Sequence, residues 1–199
     1  MPNELFNPLD KKNLGKSIAI AILAQPAHQL RHIPKVYGAG VYVIYYKGPF
    51  HLYEKVAEKN LLSLAQPIYA GKAVPKGARQ GGLGDNVPSG HYLYRRLNEH
   101  KKSIMSVSSL NIDDFHCQFL TVDEIWIPLG ESLVIENTRP LWNTVVDGFG
   151  NHAPGGGRSG QQKSMWDMLH PGRAWANELP DGISIDQIEA RIKKELNRT

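Results

Sequence analysis

The part of the sequence that most limits the fold is an uninterrupted run of β-branched and aromatic residues, Val41-Tyr42-Val43-Ile44-Tyr45-Tyr46. Residues of these two kinds favour strands, because their side chains suit the surface of a pleated sheet. The run follows Gly38-Ala39-Gly40 and is broken by Lys47-Gly48-Pro49, which are typical of turns. It is therefore the clearest strand that the sequence predicts, and the fold must supply other strands beside it.

Weaker patterns predict the remaining elements. Two further strands are predicted over residues 68–71 and 115–122. The spacing of apolar residues predicts helices over residues 18–24, 52–64, 91–104, 129–137 and 185–196. Long loops around a short segment at residues 165–169 are expected over residues 143–171, which are rich in glycine, asparagine and histidine. We therefore expect an α/β fold of the α+β type, in which a small mixed, largely antiparallel central sheet is flanked by helices.

Length and composition exclude several classes of protein. The chain has 199 residues, of which 41% are hydrophobic, and this suits a single folded domain over residues 1–199. Cys117 is the single cysteine, so neither an internal disulfide nor a multi-cysteine zinc site can form. No apolar run approaches the roughly 18 residues of a membrane span, and the N-terminus lacks the pattern of a signal peptide. These features predict a cytoplasmic protein without membrane contact.

The distribution of basic residues bears more directly on function. The formal net charge is +4, and lysine and arginine gather over residues 72–79, 95–102 and 158–173. Such clusters permit a polyanionic partner, although charge alone favours the simpler interpretation of a solvated basic surface. Gly71-Lys72 lacks the upstream glycine of a phosphate-binding loop, and the other glycines form no dinucleotide fingerprint. No nucleotide cofactor is therefore expected.

Two short triplets on different predicted strands carry the main functional signal. Gly40-Val41-Tyr42 begins the first strand, and Tyr69-Ala70-Gly71 forms the second. Four polar residues then follow along the chain in a fixed order: Arg96, His100, Glu131 and Asn143. The triplets and the order and approximate spacing of these residues resemble the GIY-YIG nuclease superfamily over residues 38–145.

A narrower resemblance extends the match over most of the chain. Residues 67–75, 141–152 and 170–173 resemble the GIY-YIG type II restriction endonucleases, which cut GC-rich palindromes such as CCGCGG. This resemblance implies a GIY-YIG fold with loop and helix insertions, acting as a sequence-specific endonuclease on double-stranded DNA. It also implies a homodimer, because two-fold symmetry matches a palindrome with one active site per strand. Residues 1–37 and 146–199 are then expected to be extensions for DNA recognition or dimer formation.

The resemblance also implies roles for the catalytic residues, because phosphodiester hydrolysis needs an activated water and a cation against the developing charge. Arg96 and His100 lie one helical turn apart, and Arg96 is expected to hold a phosphate oxygen. Tyr42 is expected to orient or deprotonate the water, after nearby positive charge lowers the pKa of its phenol, and His100 can accept the phenol's proton. Tyr69 is expected to hydrogen-bond the scissile phosphate, and Lys72 to contact phosphate.

One divalent metal ion is expected in each active site. Glu131 is the expected carboxylate ligand, and the ion is expected to be Mg²⁺, with Mn²⁺ able to substitute, because Mg²⁺ keeps several waters and needs few protein ligands. Glu136 is the rival on the same predicted helix, but its distance from Asn143 does not match the family register. Asn143 is expected to orient the metal site or the backbone around it, unless it is a simple turn residue.

Sequence recognition is assigned to residues beyond this core, because contacts to phosphate carry no base information. Five polar residues are the candidates for DNA contacts: Asn151, His152, Arg158, Lys163 and Arg173. Arginine and lysine can bind the guanine edge in the major groove. Two other functions stay open at this point, a GIY-YIG repair or homing nuclease with a different target and a non-catalytic DNA-binding protein.

Overall fold

The computed structural model describes residues 7, 10–75, 90–152 and 160–198. Four strands form one sheet: β1 (His28–Gln29), β2 (Gly40–Tyr46), β3 (Tyr69–Ala73) and β4 (Phe115–Thr121). The helices are α1 (Lys11–Leu23), α2 (Glu54–Asn60), α3 (Tyr92–Met105), α4 (Ile127–Thr138), α5 (Leu141–Thr144), α6 (Met165–Leu169), α7 (Ala174–Asn177) and α8 (Ile185–Leu196).

The sheet is built around the strand that the sequence predicts most clearly. Its order is β1-β4-β2-β3, and each of these neighbouring pairs is antiparallel. β2 is buried along its whole length, which explains why it is apolar on both faces. The predicted α+β arrangement with a largely antiparallel central sheet is therefore confirmed.

The two faces of β2 contact different helices, because alternate side chains point to opposite sides of a strand. Val41, Val43 and Tyr45 belong to an apolar cluster with residues of α1 and α4. Tyr42 and Ile44 belong to a larger cluster, which includes residues of α2, α3, α5, α6 and α8. The tyrosine of the first triplet therefore lies on the face that carries α3.

Most predicted elements are present, with shifted ends. The helix predicted over 185–196 has those bounds as α8, and the short segment at 165–169, whose type was not predicted, is helix α6. The first helix is longer than predicted and begins at Lys11, while α2 ends at Asn60 rather than at residue 64. Leu61, which contributed to the apolar spacing of the longer prediction, is exposed. The short elements β1, α5 and α7 were not predicted.

The C-terminal part of the chain contributes to the core. Val146, Phe149, Trp166 and Ile188 are buried in the same apolar cluster as Tyr42. These four residues, all beyond position 145, are thus packed against the face of the sheet that carries α3. In the described part of the chain, no helix is long and apolar enough to cross a membrane.

Candidate active site

Tyr42 and Tyr69 come together because β2 and β3 are paired. In the antiparallel register Tyr42 lies opposite Gly71 and Ile44 lies opposite Tyr69, and the centres of the two tyrosine rings are 6.3 Å apart. A Cβ atom at residue 71 would lie 2.5 Å from the phenol oxygen of Tyr42. The glycine that ends the second triplet therefore leaves the space in which the first tyrosine lies.

Arg96 and His100 reach the same site from α3. They are one turn apart on the helix, and His100 is only 1% exposed. The phenol oxygen of Tyr42, itself buried, is 2.7 Å from Nε2 of His100. The ring of Tyr69 also contacts the His100 ring edge-on, with 5.1 Å between their centres. Side chains from β2, β3 and α3 thus form one cluster.

Burial controls the protonation of this cluster. It lowers the pKa of His100 well below its ordinary value, and the positive charges of Arg96 and Arg173 lower it further. His100 is therefore neutral at physiological pH, and one ring nitrogen can accept a proton. A neutral imidazole whose Nε2 accepts is the partner that the Tyr42 hydroxyl needs as a donor.

The phenol of Tyr42 does not behave as the sequence analysis expected. Burial and the neighbouring Tyr69 raise its pKa well above the ordinary value, and the opposing effect of Arg96 is smaller. Burial also raises the pKa of Tyr69. The expectation of a phenol with a lowered pKa is therefore wrong for the protein alone, because the loss of solvation exceeds the attraction of the nearby cation.

Arg96 is held in place by a loop that follows α5. Its Nη2 donates to the carbonyl of Gly150 over 2.9 Å, and Nη1 donates to Glu99 over 2.9 Å and to Nε2 of His152 over 2.6 Å. The guanidinium is thus fixed at the edge of the cluster, with 20% of the side chain exposed. It offers a fixed positive charge to an anion that enters from solvent.

Glu131 reaches this region from α4. Its Oε2 accepts from Nζ of Lys72 over 2.6 Å, and the side chain is 20% exposed. Its negative charge raises the pKa of both Tyr42 and Tyr69, so it lies within electrostatic range of the phenols. Glu136, the rival candidate, is exposed on the same helix. The geometry thus groups Glu131 with the tyrosines.

These residues fit a hard divalent cation with few protein ligands. Within residues 10–75, 90–152 and 160–198, no group of three or more histidine, cysteine, aspartate or glutamate residues is arranged to hold a metal. A single half-buried carboxylate beside Lys72 suits a divalent cation that needs few protein ligands.

Asn143 acts on the backbone of the second triplet. Its side-chain oxygen accepts from the N–H of Ala70, and its side-chain nitrogen donates to the carbonyl of Ala70, both over 2.8 Å. The two bonds fix β3 beside Tyr69. Of the alternatives considered for Asn143, this geometry favours orientation of the backbone.

The residues predicted to read DNA bases are found in different environments. Asn151 and His152 are exposed, but His152 contacts Arg96 and so lies at the edge of the cluster. Lys163 forms an ion pair of 2.7 Å with Asp181. Arg158 lies outside the residues that the structure describes.

Arg173 does not have the surface position that base recognition requires. It is 4% exposed and forms a two-pronged ion pair with Asp167, with both bonds at 2.7 Å. Its remaining donors bind the carbonyls of Gly148, Phe149 and Asn151. Every N–H of the guanidinium is thus used inside the protein, so the predicted base contact is not supported by this placement.

Sequence reasoning missed the loop that covers the cluster. The ring of Phe149 stacks on His100, with 4.5 Å between the ring centres and 20° between the ring planes. The carbonyl of Gly150 is the acceptor for Arg96. A Cβ atom at residue 150 would lie 2.6 Å from the phenol oxygen of Tyr69, so only glycine fits without a shift. The glycines on either side of Phe149 were the available signal.

Comparison with known proteins agrees with this arrangement. The family model described as the Eco29kI GIY-YIG domain matches residues 34–198. That match spans every strand residue of β2, β3 and β4 and each residue of the cluster. No curated protein matches the chain.

Proposed function

The chain belongs to the Eco29kI GIY-YIG family of type II restriction endonucleases, and from this premise we propose that it cuts both strands of DNA at a GC-rich palindrome such as CCGCGG. As a member of that family it is a type II site-specific deoxyribonuclease. The observation that carries the proposal is the meeting of Tyr42, Tyr69, Arg96 and His100 in one cluster beside Glu131.

Each member of the cluster has a role in this proposal. Arg96 binds a non-bridging oxygen of the scissile phosphate and stabilises the charge that develops on it. Tyr69 donates a hydrogen bond to the same phosphate, and Lys72 contacts phosphate. Asn143 acts through the backbone of Ala70, to which it is bonded on both sides.

The Tyr42–His100 pair moves the proton of the attacking water. The phenol of Tyr42 takes this proton as its own passes to Nε2 of His100, 2.7 Å away. No free phenolate accumulates, which agrees with the raised pKa of Tyr42. The neutral state of His100 supports its role as the acceptor, because its pKa lies well below the ordinary value.

Nucleases of this kind generally use divalent metals, and we propose Mg²⁺, replaceable by Mn²⁺, with Glu131 as its protein ligand. When bound, such an ion supplies Lewis-acid stabilisation of the phosphate. Glu131 would hold the cation in place of its present bond to Lys72, and the ammonium of Lys72 would then be available to phosphate.

The target and the assembly are proposals as well. Membership of a restriction endonuclease family implies binding to double-stranded DNA. A palindromic site is read most economically by a homodimer with one active site per strand. Asn151, His152, Arg158 and Lys163 remain candidates for DNA contacts. We propose that the chain acts as a single domain in a prokaryotic cytoplasm, as part of a restriction-modification system.

The test is incubation of the purified chain with plasmid DNA and Mg²⁺, followed by mapping of the DNA ends. Cuts at one GC-rich palindrome, lost in EDTA and with Arg96→Lys, would support the proposal. Cuts at branched structures or at one long asymmetric site would instead indicate a repair or homing nuclease. Retarded but uncut DNA would indicate a non-catalytic DNA-binding protein.

A further inference from the structure

We propose that the buried Asp167–Arg173 ion pair is a positioning device that holds the loop of residues 147–152 over the active site and so orients Arg96 and His100. The effect on catalysis rests on the proposed function. Arg173 is then a positioning residue, which affects the reaction through Arg96 and His100 and does not contact DNA.

The 147–152 loop touches three members of the active-site cluster. The Gly150 carbonyl accepts from Arg96 over 2.9 Å, and the ring of Phe149 stacks on His100 with 4.5 Å between centres. The position of a Cβ atom on Gly150 would be 2.6 Å from the phenol oxygen of Tyr69. A shift of this loop would therefore move or release Arg96, His100 and Tyr69 together.

Arg173 is the group that fixes the loop from behind. Its Nη2 donates to the Gly148 carbonyl over 2.9 Å, and its Nη1 donates to the carbonyls of Phe149 and Asn151, each over 3.2 Å. These acceptors flank Gly150 in sequence, so the backbone that presents its carbonyl to Arg96 is bonded on both sides. The guanidinium itself lies between the rings of Trp166 and Trp175, 4.6 and 4.7 Å from their centres.

Asp167 fixes the guanidinium and joins it to α6. Both carboxylate oxygens accept from Arg173, and Oδ2 also accepts from the hydroxyl of Ser164 over 2.6 Å. The start of the loop is bonded to the same helix, because the N–H of Trp166 donates to the Asp147 carbonyl. A pair that is buried this deeply is costly to break, which makes it suited to holding one loop conformation.

The decisive variant is Arg173→Lys in the full chain. Lysine keeps the positive charge near Asp167, but a single ammonium cannot reproduce the planar fork that reaches three carbonyls. We expect the single-turnover rate, measured with saturating protein on a plasmid that the unchanged protein cuts, to fall about 10–100-fold. Affinity for the same plasmid in EDTA should change little, because Arg173 does not reach DNA.

The matched control is Arg31→Lys, which alters another two-pronged arginine–carboxylate pair, with Asp113, at an exposed site. Its saturated rate should equal that of the unchanged protein. The rate at saturating protein does not depend on the fraction of protein that is folded. If Arg173 served stability alone, Arg173→Lys would therefore cut at the normal saturated rate, and that result would overturn the proposal. If Arg173→Lys lost affinity for the cognate DNA sequence but not for other DNA, that result would also overturn the proposal and would indicate that Arg173 recognises bases.

If Arg173→Lys does not fold, Ser164→Ala serves as the test. It removes two bonds to Asp167, the one that the hydroxyl donates to Oδ2 and the one that it accepts from the Asp167 N–H, and it leaves the ion pair in place. A smaller fall in the saturated rate is then expected, and an unchanged rate in folded protein would contradict the proposal.

A measurement made without DNA separates this proposal from the proposed function. NMR signals of the Arg96 guanidinium should show freer rotation in the variants, and unchanged signals would overturn the inference whether or not the protein cuts DNA.

Discussion

The phenol oxygen of Tyr42 lies 2.7 Å from Nε2 of His100, and both side chains are buried. Burial raises the pKa of the phenol and lowers the pKa of the imidazole, so the uncharged form of each partner is favoured. A neutral hydroxyl beside a neutral acceptor nitrogen forms a hydrogen bond along which a proton can pass. This relationship explains why both residues are needed in the proposed reaction, and it leads to the first prediction.

Replacing Tyr42 with phenylalanine should keep the fold and remove cleavage. The ring and its packing remain, but the hydroxyl that passes the proton to His100 is lost. We expect single-turnover cleavage to fall by roughly 10²–10⁴-fold, the usual contribution of general base catalysis. DNA affinity should change little, because Arg96 is unaffected.

Tyr45→Phe is the matched control for that experiment. Tyr45 is buried on the same strand but on the opposite face, where its hydroxyl donates to Gln118 over 2.6 Å. The variant should lose about 1–3 kcal/mol of stability through the unpaired glutamine oxygen and cut DNA at the normal rate. A rate within a few-fold of normal for Tyr42→Phe as well would reduce Tyr42 to a packing residue.

Glu131→Ala should abolish cleavage while DNA binding persists, because the proposed site has one carboxylate to hold the cation. Glu136→Ala, which alters an exposed residue of the same helix, should cut normally. The measurement is cleavage over a range of Mg²⁺ concentrations beside a binding assay in EDTA. Loss of activity in Glu136→Ala with a functional Glu131→Ala would show that the chosen carboxylate is the wrong one.

The parts of the site that sequence could predict are those with local patterns. The run around Tyr42 marks a strand by residue type alone, and Arg96 with His100 marks a helix face by spacing. Both lie on elements that the structure contains, β2 and α3. Local patterns thus predicted the two elements, and the resemblance to the GIY-YIG nucleases placed their side chains in one group.

The parts that sequence could not predict depend on contacts between distant residues. An arginine in a basic, glycine-rich segment looks like a surface residue, yet Arg173 is buried because Asp167 and three carbonyls satisfy it. The raised pKa of Tyr42 has the same origin, since burial is a property of the folded chain. The sequence therefore predicts which side chains can carry a charge, whereas their burial and hydrogen-bond partners depend on the folded structure.

Stability should fall as the pH is lowered through the mildly acidic range, in part because of His170. Burial lowers the pKa of His170 from 6.5 to about 3. Between these values the unfolded chain binds a proton that the folded chain excludes, so the free energy of unfolding rises with pH there and falls on acidification. The contribution is about 1.4 kcal/mol per pH unit below the unfolded pKa, and urea unfolding at a series of pH values measures it.

His170→Gln isolates this contribution from that of the carboxylates. His170 contacts the hydroxyls of Tyr53 and Ser109, at 2.7 and 2.8 Å, and glutamine retains hydrogen-bonding groups without the titration. The dependence of stability on pH should therefore be shallower in the variant by about 1.4 kcal/mol per pH unit. An identical slope in both proteins would mean that His170 takes up its proton in the folded state too.

Asn143→Asp tests whether this side chain acts through the backbone of Ala70. A carboxylate can accept from the Ala70 N–H, but it cannot donate to the carbonyl that now binds the asparagine nitrogen at 2.8 Å. The free energy of unfolding should fall by about 1–3 kcal/mol, and the cleavage rate should fall as well because β3 carries Tyr69.

Thr144→Ala is the control on the same short helix. It removes an exposed hydroxyl bonded to the Pro140 carbonyl and should have little effect on stability or cleavage. Urea unfolding and single-turnover cleavage separate the alternatives, since lost cleavage at normal stability would indicate direct contact with the reacting groups. Normal values of both would instead make Asn143 a simple turn residue.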